Sequence, residues 1–400
     1  MARILFVWEL GADYGHLSGF TPLARELQSR GHEVISIIKD LSLAHQLLKP
    51  ENIRFFQAPV WNEAFSTKTR TFTYGELLLE LGYKQPEQLC ARLAAWQQLY
   101  ETIQPDLIIA DHAPTALLAA RQYPFAITLY GTGFFSPPKQ HPIPAFADPS
   151  EITPQQVKDL EAQAIECINT ALNELDAQPI KHLTEIFDAD EDFLTTVAEL
   201  DHYKQRKGQR YWGLRYNLET GVSAPWPNQY KRKIFAYIKS GFPELEKLLQ
   251  ALLITDADII LHSAGLSDIL INKYNAKHIL FSTQPVNLNT LKTSCDLTIC
   301  HAGSGTVGGM LLQGVPLLLL PMQAEQLIIA KRTHELGAGE YITPTDPLRN
   351  YRKSINNLLM KPSYKQNALA FSKKHQGFSE NQQKTAIADR CEEILQLHHE

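Results

Sequence analysis

Cysteine is scarce in this chain. The five present (Cys90, Cys167, Cys295, Cys300 and Cys391) are scattered, odd in number and contain no C-x-x-C pair. That argues against a disulfide framework or a zinc site and fits a reducing compartment. Long apolar runs are also missing. Ile4-Leu5-Phe6-Val7-Trp8 stops at Glu9, and the apolar run at 317–320 lies between Pro316 and Pro321. Both have the length of a buried strand, far below the roughly 20 residues of a membrane helix and short of a signal-peptide core. No transmembrane segment is expected, and the location implied is cytoplasmic. There is no excess of positive charge, since 38 Lys and Arg face 43 Asp and Glu for a net charge of −5. A nucleic-acid partner held by phosphate attraction is therefore not expected. The densest basic cluster, 204–210, reads as a solvated connector.

What is present is ordinary globular composition, with 44% apolar and 20% charged residues over 400 positions. That length exceeds one common core and predicts two domains of about 200 residues. Short apolar strands at 4–8, 34–38, 52–56, 106–110 and 125–130 alternate with helical stretches, notably 17–30 and 71–102. From 132 to 205 the pattern changes to a proline-rich loop (Pro137, Pro138, Pro142, Pro144, Pro149) and an acidic helical stretch. Residues 206–230 hold Gly208, Gly213, Gly221, Pro225 and Pro227 and read as a linker. A second alternation follows, with strands at 234–238, 259–262, 278–282, 297–300 and 317–320, and 380–397 closes the chain as one amphipathic helix. The expected fold class is α/β, with two doubly wound, Rossmann-like parallel-sheet domains. Their bounds are 1–205 and 231–378, with the linker 206–230 between them and a terminal helix in 379–400.

The run His301-Ala302-Gly303-Ser304-Gly305-Thr306 follows one of these strands and opens a short helix. Such a turn aims backbone N–H groups and the positive end of a helix dipole at one point, a geometry that binds phosphate. Ser304 and Thr306 can add hydroxyl donors, and His301 can donate to the same oxygens. Gly303, Gly305 and Gly308 also satisfy the dinucleotide fingerprint G-x-G-x-x-G. Against that reading, the helix is cut off at Gly314-Val315-Pro316 and the loop comes late in its domain. The nearest acidic residue, Glu325, also lies beyond Pro321 and not at the tip of the next strand. No Gly-Lys-Ser/Thr follows, which excludes a Walker loop.

Cys295 to Thr306, with Gly314-Val315-Pro316, Pro321-Met322 and Glu325-Gln326, resembles the donor-binding signature of the GT-B glycosyltransferases. The likeness is greatest to the family-1 UDP-glycosyltransferases and their bacterial macrolide-transferase-like relatives. The resemblance implies a GT-B fold with two domains facing a cleft, the donor in the C-terminal domain and the acceptor mostly in the N-terminal one. It also implies that the last helix packs back on the first domain. At matching positions, His301, Gly303, Ser304, Gly305 and Thr306 would hold the donor diphosphate, and Glu325 with Gln326 would bind sugar hydroxyls. The backbone of Val286 would meet the base edge. Ser240, in Lys239-Ser240-Gly241, stands where the family has a Gly-Ser or Gly-Thr turn. The aromatic that often stacks on the base is not evident, which leaves the base open.

His16 follows the first strand in Gly11-Ala12-Asp13-Tyr14-Gly15-His16, at the strand ends where α/β proteins bind ligands. Transfer to a hydroxyl needs a base working near neutrality, which suits histidine, and His16 aligns with the family's catalytic histidine. Asp111, closing the strand at 106–110, is the candidate partner, with Asp13, Asp106 and His112 as rival neighbours. The expected reaction is inverting and metal-independent, with no cofactor beyond a UDP- or dTDP-sugar co-substrate. Asp188-Ala189-Asp190 and Asp256-Ala257-Asp258 read as solvated surface, not metal ligands. Trp61, Phe134 and Phe135 are the acceptor-binding candidates, with Phe65 and Trp96 as weaker ones. The expected partners are the nucleotide sugar and a small-molecule or glycolipid acceptor, and the chain is expected to be a monomer or homodimer. Alternatives on the same fold are a nucleotide-sugar 2-epimerase, a lipid-linked-sugar transferase, or a transferase-like auxiliary protein.

Overall fold

Ile4, Leu5, Phe6, Val7 and Trp8 have no solvent exposure. Burial of both faces is what a central strand of a parallel sheet requires, and each fully buried large apolar side chain contributes about 1.5–3 kcal/mol. The computed structural model describes residues 1–400 apart from 12–14, 62–70, 147–149, 205, 217–220, 292–293, 344, 348 and 400. It divides into two compact units, Met1–Gly213 with Ser379–Glu400, and Leu214–Phe378.

The first unit holds β1 (Arg3–Trp8), β2 (Glu33–Ile38), β3 (Arg54–Gln57), β4 (Leu107–Asp111), β5 (Ala126–Gly131) and β6 (Glu191–Leu194). All pair in parallel in the order β3-β2-β1-β4-β5-β6. The second unit holds β7 (Lys233–Tyr237), β8 (Asp258–His262), β9 (Ile279–Ser282), β10 (Leu297–Cys300), β11 (Leu317–Leu319) and β12 (Gly339–Tyr341). These too are parallel, in the order β12-β11-β10-β7-β8-β9. Both sheets are thus doubly wound, with switch points between β1 and β4 and between β7 and β10. Ligands of such sheets bind at the carboxyl ends of strands beside the switch.

Two edge strands escaped the sequence reading. β6 begins Glu191-Asp192 and β12 is only Gly339-Glu340-Tyr341, so neither shows apolar alternation; short, polar edges limit unwanted pairing. β6 is aligned by Asp190, whose carboxylate accepts the Ile127 N–H at 2.8 Å. Asp258 is likewise not the solvated residue expected. It has no exposure and accepts the N–H groups of Gln229 and Tyr230 at 2.9 and 3.0 Å. The stretch 71–102 divides at Leu81 and Gly82, where the dihedrals leave the helical region.

The last helix, Glu380–His399, packs in the first unit, burying Ile387, Ala388, Cys391, Ile394 and Leu395 with Leu23 and Leu27. Arg30 bonds Asp389 and Glu392 across that seam, both at 2.7 Å. Among the described residues no helix is long and apolar enough to cross a membrane.

Arg206 is buried in the first unit, bonded to Asp201 at 2.7 Å and to the carbonyls of Gly133 and Ser136. It thereby ties down the loop carrying Phe134 and Phe135. Beside it, burial pushes the Asp192 carboxyl up to about 7 from 3.8, against the opposing pull of Arg206 and the Ser136 hydroxyl. Between those two values the folded state binds more protons than the unfolded one, so stability falls as pH rises across the window and is level above it. Asp192→Asn should abolish that slope. Urea midpoints at about pH 5 and about pH 8 should then agree more closely than in the parent chain; an unchanged difference would contradict the assignment.

Candidate active site

β1 hands over to the helix Gly15–Ser29, and His16 lies in its first turn. Asp111 ends β4 and is in register with Trp8 at the end of β1, directly across the switch point. This brings His16 Nδ1 to 3.1 Å from Asp111 Oδ2, with the carboxylate fully buried. The two atoms are at ion-pair distance but are not aligned as a full hydrogen bond in this conformation. The imidazole lies on the Trp8 indole, centroids 5.1 Å apart and 19° between planes, and its other side faces Phe135 at 5.5 Å. Nδ1 therefore faces the carboxylate, and Nε2 lies on the side of Gly11. A Cβ on Gly11 would stand 2.7 Å from Nε2, and Gly11 has φ +86°. Glycine is needed there both for backbone conformation and for clearance.

His112 follows Asp111 with φ +44°, in the left-handed region. Its ring stacks on Phe135, centroids 3.6 Å apart and 15° between planes. Burial, reinforced by nearby His16, holds its pKa well below the usual imidazole range, so it is neutral. Glu9 was missed as part of this site. It is buried, its carboxyl pushed up by that burial, and accepts the Thr115 hydroxyl and the N–H groups of Thr115 and Ala116 at 2.9 and 3.2 Å. The helix Pro114–Ala120 is pinned at its start, and with it the turn presenting Asp111 and His112. The available signal was an acidic residue closing a wholly apolar strand just before a glycine turn.

In the second unit, β10 runs through Cys300 and His301 to Ala302, at φ +60°, and Gly303 caps the helix Ser304–Leu312. A Cβ on Gly303 would meet nothing within 4 Å, so the ground before the helix N-terminus is open. Gly305 and Gly308 have a different reason: Cβ atoms there would press on the Arg215 carbonyl oxygen at 3.3 Å and the Leu214 side chain at 3.0 Å. His301 Nδ1 is 2.8 Å from the Leu320 carbonyl oxygen, and Nε2 accepts the Lys239 N–H at 2.9 Å. A carbonyl can only accept, so the ring hydrogen is on Nδ1. The ring clasps the turn that leaves β7. In this arrangement both ring nitrogens are engaged by protein backbone.

Ser240 sits exposed in that same turn. Ser304 donates to Glu325 at 3.4 Å, and the buried Gln326 accepts the Met322 N–H at 2.8 Å through its side-chain oxygen. Val222 donates to Pro285 O at 2.8 Å and accepts from Asn287 N at 2.9 Å. By strand alternation the N–H and C=O of Val286 point the other way. Gly221, at φ +113°, permits this pairing, since a Cβ there would collide with the Pro285 carbonyl.

Residues 246–394 match the family described as erythromycin biosynthesis protein CIII-like, C-terminal domain. A stretch of 85 residues is 36% identical to aclacinomycin-T 2-deoxy-L-fucose transferase of Streptomyces galilaeus, covering 20% of this chain and 19% of that protein. Solved structures align over 98% of the chain. They include spinosyn rhamnosyltransferase complexed with spinosyn aglycone, at 17% identity and TM-score 0.67, and complexed with thymidine diphosphate, at 16% and 0.66, each covered in full. The glycotransferase of kitacinnamycin aligns at 16% identity and TM-score 0.71, with 99% of it covered. The chain has the GT-B fold.

Within each GT-B unit the residues named from sequence separate by position. His16, Asp111 and Phe135 cluster at the β1–β4 switch point. His301, Gly303, Ser304, Gly305, Thr306 and Glu325 gather around the helix start after β10, and the bond from Lys239 to His301 keeps Ser240 at the β7–β10 switch point of the same unit. Phe134 stands one ring further back, edge to face with Phe135 at 5.1 Å and buried against Phe146 and His202 at 4.7 and 5.3 Å. Trp61 packs on Gly82 and under the Arg92 guanidinium at 5.5 Å, and no described ring contact joins it to His16. Trp96 is core. Asp13 and Phe65 lie outside the described residues.

Proposed function

We propose that this chain transfers a sugar, with inversion, from a nucleoside-diphosphate donor to a hydroxyl of a small, apolar acceptor. The observation carrying this reading is the buried His16–Asp111 pair at 3.1 Å. The carboxylate takes the Nδ1 side of the ring, and Nε2 removes the acceptor proton as the oxygen attacks the anomeric carbon. Trp8 and Phe135 form apolar walls around the ring, which supports an apolar acceptor. The departing diphosphate is met by the N–H groups at the start of the helix Ser304–Leu312 and by the Ser304 and Thr306 hydroxyls. Glu325 and the Gln326 NH2 read the sugar hydroxyls, and Val286 the base edge. These groups meet the leaving charge without a metal, so turnover should be unchanged by EDTA.

A melting screen with thymidine, uridine and guanosine diphosphates tests the donor side. A nucleotide present at about 100 times its Kd stabilises by about 2.7 kcal/mol. The thymidine compound is the first choice, because the aligned rhamnosyltransferase is complexed with it. Absence of a melting shift with all three, and of transfer from their sugars to a phenolic or sterol hydroxyl, would overturn the reading.

A further inference from the structure

His112 is a costly residue as it stands. Its backbone is left-handed without being glycine, and its ring is buried. Among the described residues neither ring nitrogen has a hydrogen-bond partner. Buried imidazole nitrogens are normally satisfied, and strained backbone persists where the surroundings hold it for a purpose. The surroundings here do hold it. The His112 carbonyl accepts the Leu10 N–H at 2.9 Å, Phe135 covers one ring face, and Glu9 pins the residues that follow. What the protein leaves undone is the pairing of the nitrogens themselves.

Their position indicates what completes them. A Cβ placed on Gly11 would lie 2.7 Å from His16 Nε2 and 3.5 Å from His112 Nδ1, so the two imidazole nitrogens stand against the same side of Gly11, close to one another. Building on the sugar-transfer reading, we propose that His112 binds the acceptor, pairing with a second oxygen adjacent to the hydroxyl that His16 deprotonates. A neutral imidazole offers one N–H and one lone pair, so it suits a hydroxyl or a carbonyl equally. The acceptor class is then one carrying two neighbouring oxygens, a vicinal diol or hydroxy-ketone, on an apolar frame that rests against Phe135. His112 acts as a specificity and positioning residue, and the proton transfer stays with His16.

The test compares 2,3-dihydroxynaphthalene with 2-naphthol, alike except for the second oxygen, in transfer assays on the full chain. The parent should favour the diol through a lower KM. His112→Phe keeps a ring against Phe135 and removes both nitrogens; the ratio of kcat/KM for diol over naphthol should fall about tenfold, the size of one hydrogen bond. His112→Asn takes left-handed φ readily and retains a donor and an acceptor, so it should keep part of the preference. If His112→Phe melts too low to assay, His112→Gly removes the nitrogens with no backbone strain and should lose the preference as well. A parent without preference for the diol, or variants that retain it in full, would overturn the proposal. The sugar-transfer reading is checked separately. If the parent transfers to neither compound, the nucleotide melting screen decides that reading, and diol-specific melting protection lost in His112→Phe would still support the binding role.

Discussion

His16→Ala is expected to lower kcat for sugar transfer by about 10²–10⁴-fold, the usual contribution of a positioned general base. Donor binding should be untouched, because the proposed phosphate loop belongs to the other compact unit. The nucleotide-induced melting shift should therefore equal that of the parent. This contrast guards against a trivial outcome, since the His16 ring packs on Trp8 and its loss leaves a small void. A variant with normal turnover would remove His16 from the mechanism. One that loses the nucleotide shift as well would point to general unfolding. His16→Gln fills more of the void without supplying a base, and should be as inactive as alanine while melting closer to the parent.

Much of the architecture was legible because parallel strands buried on both faces announce themselves as unbroken apolar runs. Ten of the strands were read, although β3 is largely exposed and β9 half-buried, whereas β6 and β12 are polar and brief and are defined by their neighbours. The turn after β10 was legible as a strand end feeding a helix start from small residues alone. The reasons for its glycines were not. Gly303 stands on open ground, but Gly305 and Gly308 yield space to Leu214 and Arg215, a packing reason that letters cannot distinguish from a ligand reason. His301 shows the same limit: its position was readable, but its bonds depend on Lys239 and Leu320, brought in from separate strands. Phe134 and Phe135 are adjacent in sequence and their rings meet edge to face at 5.1 Å, yet the ring contact to His16 is made by Phe135. Glu9 was passed over because a charge ending a strand usually marks the surface. Here it is buried by the helix whose first N–H groups it binds.

Asp111→Asn should be almost as damaging as the loss of His16, for a reason of tautomers. The carboxylate can only accept, so it selects the imidazole carrying its hydrogen on Nδ1 and leaves the Nε2 lone pair for the acceptor proton. An asparagine can turn its NH2 toward Nδ1 and select the opposite tautomer, with hydrogen on Nε2, where no proton can be taken. It also withdraws the negative charge that stabilises the imidazolium formed during transfer. A fall in kcat of about 10²–10⁴-fold is expected, with the nucleotide-induced melting shift preserved. Because Asp111 acts through His16, the losses should not add. The double variant His16→Ala, Asp111→Asn should be no slower than His16→Ala alone, as groups acting as one unit show. Multiplicative losses would mean that Asp111 touches substrate directly, and a fully active Asp111→Asn would mean that His16 is oriented by its stack on Trp8 instead.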